Sequence, residues 1–273
     1  MNDSVSADRQ GSFLVALRPL RWNDPLRWLA LGWSDFRRAP AIGLFYGGCF
    51  VLMGWALLYV YRHAPAYVLA LAAGFLLAGP FVCMGLYQVS EQLELGHRPS
   101  FGASLLAWRR KTDTLAIFGF VLLVLELLWG RASLVVFVLS FDGMPDFKGS
   151  LLALFDPKNI NFIVAYIAVG GVFAAVIYAI SVISIPMILD RRTDAITAGL
   201  TSVRLVLDQP AVMIGWGALV TVLVVVAMLP WFAGLLVVGP VLGHATWHAY
   251  RGAVAREAAP AGEASSGSTS PAR

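Results

Sequence analysis

The chain has 273 residues, of which 59% are hydrophobic and 13% are charged, and its mean hydropathy is +0.74. Soluble globular proteins carry about 25% charged residues, so this composition excludes a large water-soluble domain. The net charge of +4 comes from basic residues in short segments between apolar runs, where membrane proteins carry their orientation signals. We therefore expect the lipid bilayer, and not nucleic acid, as the partner of this chain.

Six apolar runs are long enough to cross a bilayer as helices, which takes roughly 20 residues. In chain order they are Ala41–Tyr61, Tyr67–Gln88, Leu115–Ser140, Phe162–Leu189, Ala211–Met228 and Ala233–Tyr250. The sequence predicts one six-helix membrane domain over residues 21–253. Residues 1–20 and 254–273 are predicted to be disordered, the second because it is rich in Ala, Gly, Ser and Pro.

The distribution of basic residues predicts the orientation of these spans. Of the 20 Lys and Arg residues, 16 fall on one side of the predicted topology and 3 on the other, while Arg131 lies inside the third run. Basic residues accumulate on the cytoplasmic side of membrane proteins. We expect both termini to be cytoplasmic, in a bacterial inner membrane.

Three units repeat along the chain, and each joins an amphipathic segment to an outgoing and a returning span. Pro40 and Gly47 in the first unit have the same spacing as Pro210 and Gly217 in the third. The amphipathic segments have helical periodicity. Their predicted apolar faces are Leu26, Leu29, Trp33 and Phe36 in the first, Phe101, Leu105 and Trp108 in the second, and Ile196, Leu200, Val203 and Leu207 in the third. They are short packed connectors, helices in the headgroup region, or both. The predicted fold is all-α, with three pseudo-repeated hairpins, each preceded by a cytoplasmic amphipathic helix.

The returning span of each unit contains a proline, at Pro80, Pro186 and Pro240. Positions four and eight residues later share one helical face. They hold Met84, Asp190 and His244, and then Gln88, Asp194 and His248. His244 and His248 have the i, i+4 spacing of metal ligands, with carboxylates to complete the shell. The competing interpretation is a polar belt at the membrane interface, and the sequence predicts no cofactor.

The middle unit carries intramembrane charges and a packing surface. Glu126 lies well inside the third run, where an ionisable group is costly and becomes a functional candidate. Arg131 is its obvious partner, but five residues place the two about 140° apart on a helix. Glu126 therefore makes either a structural bond to another helix or part of a proton or ion pathway. Gly171, Ala175 and Ala179 form a ridge that favours close helix packing.

Several segments carry a family resemblance. The most distinctive is Leu242–Arg251, with Leu31–Asp35, Gly79-Pro80 and Leu189-Asp190 beside it. Together they resemble the bacterial integral membrane family known as domain of unknown function 2189, over about residues 20–253. The resemblance implies an inner-membrane protein, and it carries over no catalytic residues because the family has none assigned.

The chain lacks the sequence patterns of an enzyme. We find no phosphate loop, no nucleophile paired with a base and no paired catalytic carboxylates, and its four histidines are too few for haem–copper chemistry. We expect a non-enzymatic scaffold or assembly partner, acting with another membrane protein or as a homo-oligomer. The alternative is a small transporter or channel for an ion, a metal or a small solute.

Overall fold

A computed structural model describes residues 15–64, 67–140, 160–191 and 193–255. Within these ranges the protein is helical, and no β-strand occurs. The inner ends of the two predicted disordered segments are ordered and pair with each other. Arg18 donates its backbone N–H to Ala253 O at 2.8 Å, and Ala255 N–H is 3.0 Å from Ala16 O. Residues 15–20 and 254–255 of these predicted segments thus make defined backbone contacts, and residues 1–14 and 256–273 lie outside the described residues.

The described residues form ten α-helices and one 3₁₀-helix. The α-helices are α1 Asp24–Arg38, α2 Pro40–His63, α3 Val68–Glu94, α4 Phe101–Leu105, α5 Thr112–Ser140, α6 Ile160–Ser181, α7 Ser184–Asp190, α8 Ala195–Asp208, α9 Pro210–Met228 and α10 Leu235–Ala253. The 3₁₀-helix, Ala107–Lys111, joins α4 to α5.

Five helical segments of the described chain are long and apolar enough to cross a membrane. They are Pro40–His63, Ala70–Glu94, Thr112–Ser140, Ile160–Asp190 and Pro210–Met228. The prediction of an all-helical membrane protein is confirmed, and five predicted spans correspond to these segments. The sixth, Ala233–Tyr250, corresponds to α10, which is not among the five.

Helix α10 lies at the centre of the structure. It packs against α1, α2, α3 and α9, and most of its second half is buried. Glycines allow the neighbouring helices to approach its backbone. A Cβ atom at Gly32 of α1 would lie 2.5 Å from Val241 O, and one at Gly47 of α2 would overlap Leu236 O. Helix α10 is therefore an inner helix in contact with protein over most of its surface.

Helices α5 and α6 form a hairpin at the periphery. They pack mainly against each other, through contacts such as Trp129 with Tyr166 at 5.2 Å between ring centroids. Only Leu115, Phe118 and Leu122 of α5 are buried, and α6 has no buried residue. We call this pair the outer hairpin.

The amphipathic segments are helical, but their large apolar residues face outward. Leu26, Trp33, Phe101, Leu105, Trp108, Ile196, Leu200 and Leu207 are all exposed, and of the predicted faces only Phe36 is buried. The packed faces carry other residues, such as Trp28, Gly32 and Asp35 of α1 and Ala198, Thr201 and Ser202 of α8. Close packing against a neighbouring helix favours small side chains, so the bulky apolar ones are left on the opposite side. The exposed faces do not pack as short connectors against the described protein, and the interpretation of these segments as helices in the headgroup region stays a prediction.

Candidate functional site

Four side chains from three helices meet on the second half of α10. Asp35 of α1, Ser90 of α3, and His244 and His248 of α10 form what we call the histidine cluster. Ser90 Oγ donates to Asp35 Oδ2 at 2.8 Å and lies 2.8 Å from His244 Nδ1, and His248 Nε2 lies 2.8 Å from the same Asp35 oxygen. Ser90 and His244 are fully buried, and Asp35 is 5% exposed. The cluster ties α1 and α3 to α10.

Local sequence explains how these residues meet. Gly32 brings the backbone of α1 against α10, and Asp35 follows one helical turn later on the same face. Gly243 does the same for α3, because a Cβ atom there would lie 2.5 Å from the Leu86 side chain. Ser90 lies one turn beyond Leu86, facing His244. Glycine contacts therefore set the distance at which the polar groups can bond.

The hydrogen bonds assign the tautomer of His244. The hydroxyl proton of Ser90 is given to Asp35, so Ser90 Oγ accepts from His244 Nδ1–H. The other ring nitrogen, Nε2, then carries a lone pair. It is buried and has no hydrogen-bond partner among the described residues. The chain of hydrogen bonds thus runs from His248 through Asp35 and Ser90 to the imidazole ring of His244. The Nε2 atom of that ring makes no further bond among the described residues.

A second polar group, the arginine cluster, lies next to the first and consists of Glu94, Asp190, Arg191, Trp247, Tyr250 and Arg251. Arg251 places its Nη2 2.9 Å from Glu94 Oε1 and its Nη1 3.1 Å from Asp190 Oδ2. Tyr250 donates its hydroxyl proton to Asp190 and accepts from Arg191 Nε at 3.0 Å. Trp247 Nε1 donates to Glu94 at 3.2 Å. The cluster joins the ends of α3, α7 and α10.

The contacts of Asp190 differ from those predicted by aligning the three prolines. That alignment places Asp190 beside His244, since each lies four residues after its proline. Asp190 instead bonds Tyr250 and Arg251, which lie ten and eleven residues after Pro240. These bonds thus place Asp190 beside residues of α10 that lie six and seven positions after His244.

The two histidines do not converge on one point. His244 Nδ1 is bonded to Ser90, whereas His248 Nε2 is bonded to Asp35. Within the described residues, no group of three or more His, Cys, Asp or Glu side chains could hold a metal ion. The metal-site hypothesis for His244 and His248 therefore finds no ligand set in this part of the chain.

Glu126 and Arg131 lie on α5, in the outer hairpin, and contribute to neither cluster. Glu126 Oε2 is buried without a hydrogen-bond partner among the described residues. Arg131 is exposed, and no ion pair joins it to Glu126 or to another described residue. The expectation that helical spacing keeps the two apart agrees with this geometry.

Sequence reasoning missed Asp35, Ser90, Glu94 and Arg251. The available signal was the face of α1 that carries Trp28, Gly32 and Asp35 at intervals of four and three residues. Because bulky apolar residues defined the predicted apolar face of α1, the face that carries Asp35 was not considered. The partners of α3 and α10 are more than 150 residues apart in the chain, and no local pattern pairs them.

The geometry can do two things chemically. It can hold four helices together through charged and hydrogen-bonded groups in a buried setting, where such bonds are strong if all groups are satisfied. It can also pass a proton between His248 and His244 through the Asp35 carboxylate and the Ser90 hydroxyl, which lie within hydrogen-bond reach of one another.

Comparisons with known proteins agree with the membrane fold. Residues 68–190 match a family model described as "Predicted integral membrane protein (DUF2189)". This match is narrower than the resemblance expected over residues 20–253, and it includes α3 through α7. No curated protein and no solved structure matches the chain. The predicted resemblance to the domain of unknown function 2189 family is thus confirmed over residues 68–190.

Proposed function

We propose that this protein is a non-enzymatic scaffold of the bacterial inner membrane that holds a membrane-protein partner, or a second copy of itself, against its outer hairpin. The observation that supports the proposal is how little of the outer hairpin is buried. Only 6% of the best apolar window in Thr112–Ser140 is buried, and no residue of α6 is buried. The inner helix α10, by contrast, is packed on most sides.

The surface of α6 suits helix docking. Gly171 and Ala175 are exposed on one face, and a Cβ atom at Gly171 would meet nothing within 4 Å. Val172, beside them, is 64% exposed. Small residues spaced by four allow a second helix to approach closely in a membrane, where packing drives association. Ala179, the third residue of the predicted ridge, is occupied, since its carbonyl accepts from Ser202 at 2.6 Å.

Glu126 adds a polar reason for a partner. Its carboxyl group has no hydrogen-bond partner among the described residues and lies midway along a span. An intramembrane carboxyl is costly in lipid and usually pairs with a neighbouring helix. Oε2 is covered by the protein, but Glu126 is only partly buried, so a docked helix with a hydroxyl, amide or basic side chain could donate to the other carboxyl oxygen.

A photo-crosslinking residue at Val172 tests the proposal in native membranes. The expected product is a discrete protein adduct, identified by mass spectrometry as one partner or as the dimer. The matched control is Val225 on α9, which is 53% exposed and should give no protein adduct. Adducts at neither site, or the same adducts at both, would refute docking on the outer hairpin.

The proposal includes six spans and cytoplasmic termini. Helix α10 has 19 residues, enough to cross a bilayer, and its burial removes the need for an apolar exterior. The 16-to-3 bias of basic residues supports the orientation. An alkaline phosphatase fusion after Arg251 should be inactive, because this enzyme works only outside the cytoplasm. An active fusion would contradict an even number of spans with a cytoplasmic N-terminus.

The second candidate function is a small transporter or channel. The observation that favours it is the hydrogen-bonded chain from the half-buried His248 to the fully buried His244. Proteoliposomes loaded with a pH-sensitive dye should then show proton uptake that is lost in His248→Ala and retained in Arg131→Gln. Uptake no faster than in empty vesicles would eliminate this candidate.

A further inference from the structure

A basic pocket lies beside the histidine cluster, on a part of α1 not used by the proposed scaffold. Its volume is about 410 Å³, and its wall includes Arg18, Arg21 and Arg27 with Trp28, His248 and Arg251. Pockets of about 300–1,000 Å³ are typical of small-ligand sites. The pocket has one acidic residue in its wall, Asp24.

Three of the guanidinium groups are uncommitted. Arg18, Arg21 and Arg27 form no ion pair with any described residue, whereas Arg251 is held by Glu94 and Asp190. The one carboxylate in the wall is itself engaged, because Asp24 Oδ2 accepts the Arg21 backbone N–H at 2.7 Å. Three uncommitted guanidinium groups thus share the wall with a single carboxylate, so the pocket presents excess positive charge.

A buried tryptophan also lines the pocket. Trp28 is 3% exposed, and its side chain forms part of the wall. Its Nε1 atom would lie 2.9 Å from a Cβ atom at Gly252, which is in the same wall. Glycine at this position keeps the space in front of the indole nitrogen open. An anion in the pocket could accept a hydrogen bond from the indole N–H.

The N-terminal segment holds one wall in place. Arg18 is fixed on both sides of its peptide, by its N–H to Ala253 O at 2.8 Å and by its O to Gln209 Nε2 at 2.9 Å. Gln209 Oε1 also accepts the Leu20 N–H at 2.5 Å. These bonds place Arg18 opposite α1 before any ligand arrives, which reduces the ordering cost of binding.

We propose that this pocket binds a phosphate group. Arg guanidinium groups match phosphate oxygens in a planar, two-pronged geometry, and such charge-assisted bonds are about twice as strong as neutral ones. On α1 the pocket residue Arg27 lies about 160° around the helix from Leu29, which lines an apolar groove with Val238 and Leu242. The pocket thus opens on a different side of α1 from this apolar groove. Its phosphate comes either from a soluble molecule or from a phospholipid headgroup.

The test measures binding to the purified full chain in a neutral detergent by isothermal titration calorimetry. One arm uses inorganic pyrophosphate and the other uses a short-chain phosphatidylglycerol. The variant Arg18→Gln, Arg21→Gln, Arg27→Gln removes the uncommitted charges. The control Arg37→Gln, Arg38→Gln, Arg98→Gln removes the same net charge from exposed positions outside the pocket.

We expect one probe to bind the wild type and the control alike, and to bind the pocket variant at least about tenfold more weakly. Pyrophosphate binding identifies a soluble ligand, and binding of phosphatidylglycerol alone identifies a headgroup. If the triple pocket variant fails to fold, single variants Arg21→Gln and Arg27→Gln should each weaken binding. Binding of neither probe, or equal loss in pocket and control variants, overturns the proposal, and neither result bears on crosslinking at Val172.

Discussion

The inner helix α10 and the outer hairpin show opposite uses of polar residues. The second half of α10 is buried against three helices and makes charged or hydrogen-bonded contacts through His244, His248, Tyr250 and Arg251. The outer hairpin exposes Leu and Val side chains and carries Glu126, whose carboxyl group has no hydrogen-bond partner among the described residues. Polar groups thus hold helices together where protein surrounds them. In the outer hairpin, the carboxyl group of Glu126 forms no such bond to another described helix.

This difference also explains why hydropathy identifies α5 and α6 more readily than α10. A helix that faces lipid must be apolar on nearly all sides, and the mean hydropathy is 2.1 for Thr112–Ser140, where 6% of the best apolar window is buried. A helix enclosed by protein can carry polar residues, provided each finds a partner. The predictions below compare matched substitutions in the two regions.

The largest difference in stability is expected between the removal of a buried carboxylate and the removal of an exposed one. Asp35→Ala removes the acceptor of both Ser90 and His248 and should lower the free energy of unfolding by about 3–5 kcal/mol. The control is Asp113→Ala in the exposed first turn of α5, which should lose about 0.3–1 kcal/mol. Denaturant unfolding in detergent micelles measures both.

A double-mutant cycle isolates the pair within this prediction. Asp35→Ala and His248→Ala should be strongly non-additive, because each single change already breaks the 2.8 Å contact. Additive losses would mean that the contact contributes little, and that α10 is held by packing alone.

A smaller loss of stability is expected when the tyrosine hydroxyl in the arginine cluster is removed. Tyr250→Phe removes one of the donors to Asp190, which keeps its bond from Arg251, and it removes the acceptor of Arg191 Nε; it should cost about 1.5–3 kcal/mol. Tyr166→Phe in the outer hairpin is the matched control, since the Tyr166 hydroxyl has no hydrogen bond among the described residues. Equal effects in thermal unfolding would remove the distinction between the two regions.

The helices themselves were predictable, because a long apolar run is a local property of sequence. The prediction Leu115–Ser140 corresponds to Thr112–Ser140, and Ala211–Met228 to Pro210–Met228. The packed faces of the connecting helices were not predictable in this way. Burial of Asp35 depends on Gly32 meeting α10 more than 200 residues later in the chain, and exposure of Trp33 follows from the same contact.

The candidate site was predicted only in part, because it also depends on contacts between helices that are far apart in the sequence. His244, His248 and Asp190 were selected as polar residues near one end of their helices and lie in the two clusters, but their partners were assigned by an internal alignment. Side-chain bonds depend on the relative placement of two helices, and Asp190 bonds residues that lie six and seven positions after His244. Sequence periodicity gives the face of a helix and leaves this placement undetermined.

Glycine substitutions should also change stability differently in the two regions, but by a smaller amount. Gly32→Ala places a methyl group against Val241 O and the Ala245 backbone, and it should cost about 1–3 kcal/mol through overpacking. Gly171→Ala in α6 meets open space and should be neutral or slightly stabilising, because alanine favours helix. Melting temperatures of the two variants give the comparison. A stable Gly32→Ala protein would show that α1 does not need this close approach to α10.

The smallest effect concerns α8, which packs against the outer hairpin through α6 and against α9 on the other side. Asp194 caps this helix by accepting the backbone N–H groups of Ile196 and Thr197, both at 2.9 Å from Oδ1. The backbone N–H of Thr197, followed by its hydroxyl, lowers the pKa of Asp194 below its ordinary value, and desolvation opposes them only partly. Asp194→Ala should cost about 0.5–2 kcal/mol.

The pH dependence of that loss tests its electrostatic part. Because the pKa is lower in the folded chain than in the unfolded chain, the ionised cap stabilises at pH values above the ordinary Asp pKa of about 3.9. The stabilisation is lost as the pH falls through the folded pKa. The difference in melting temperature between wild type and Asp194→Ala should therefore be constant from about pH 5 to 8 and shrink below about pH 4. A difference that stays constant to pH 3 would assign the cap to hydrogen-bond geometry alone. A difference that grows on acidification would reverse the sign of the pKa shift and contradict the cap.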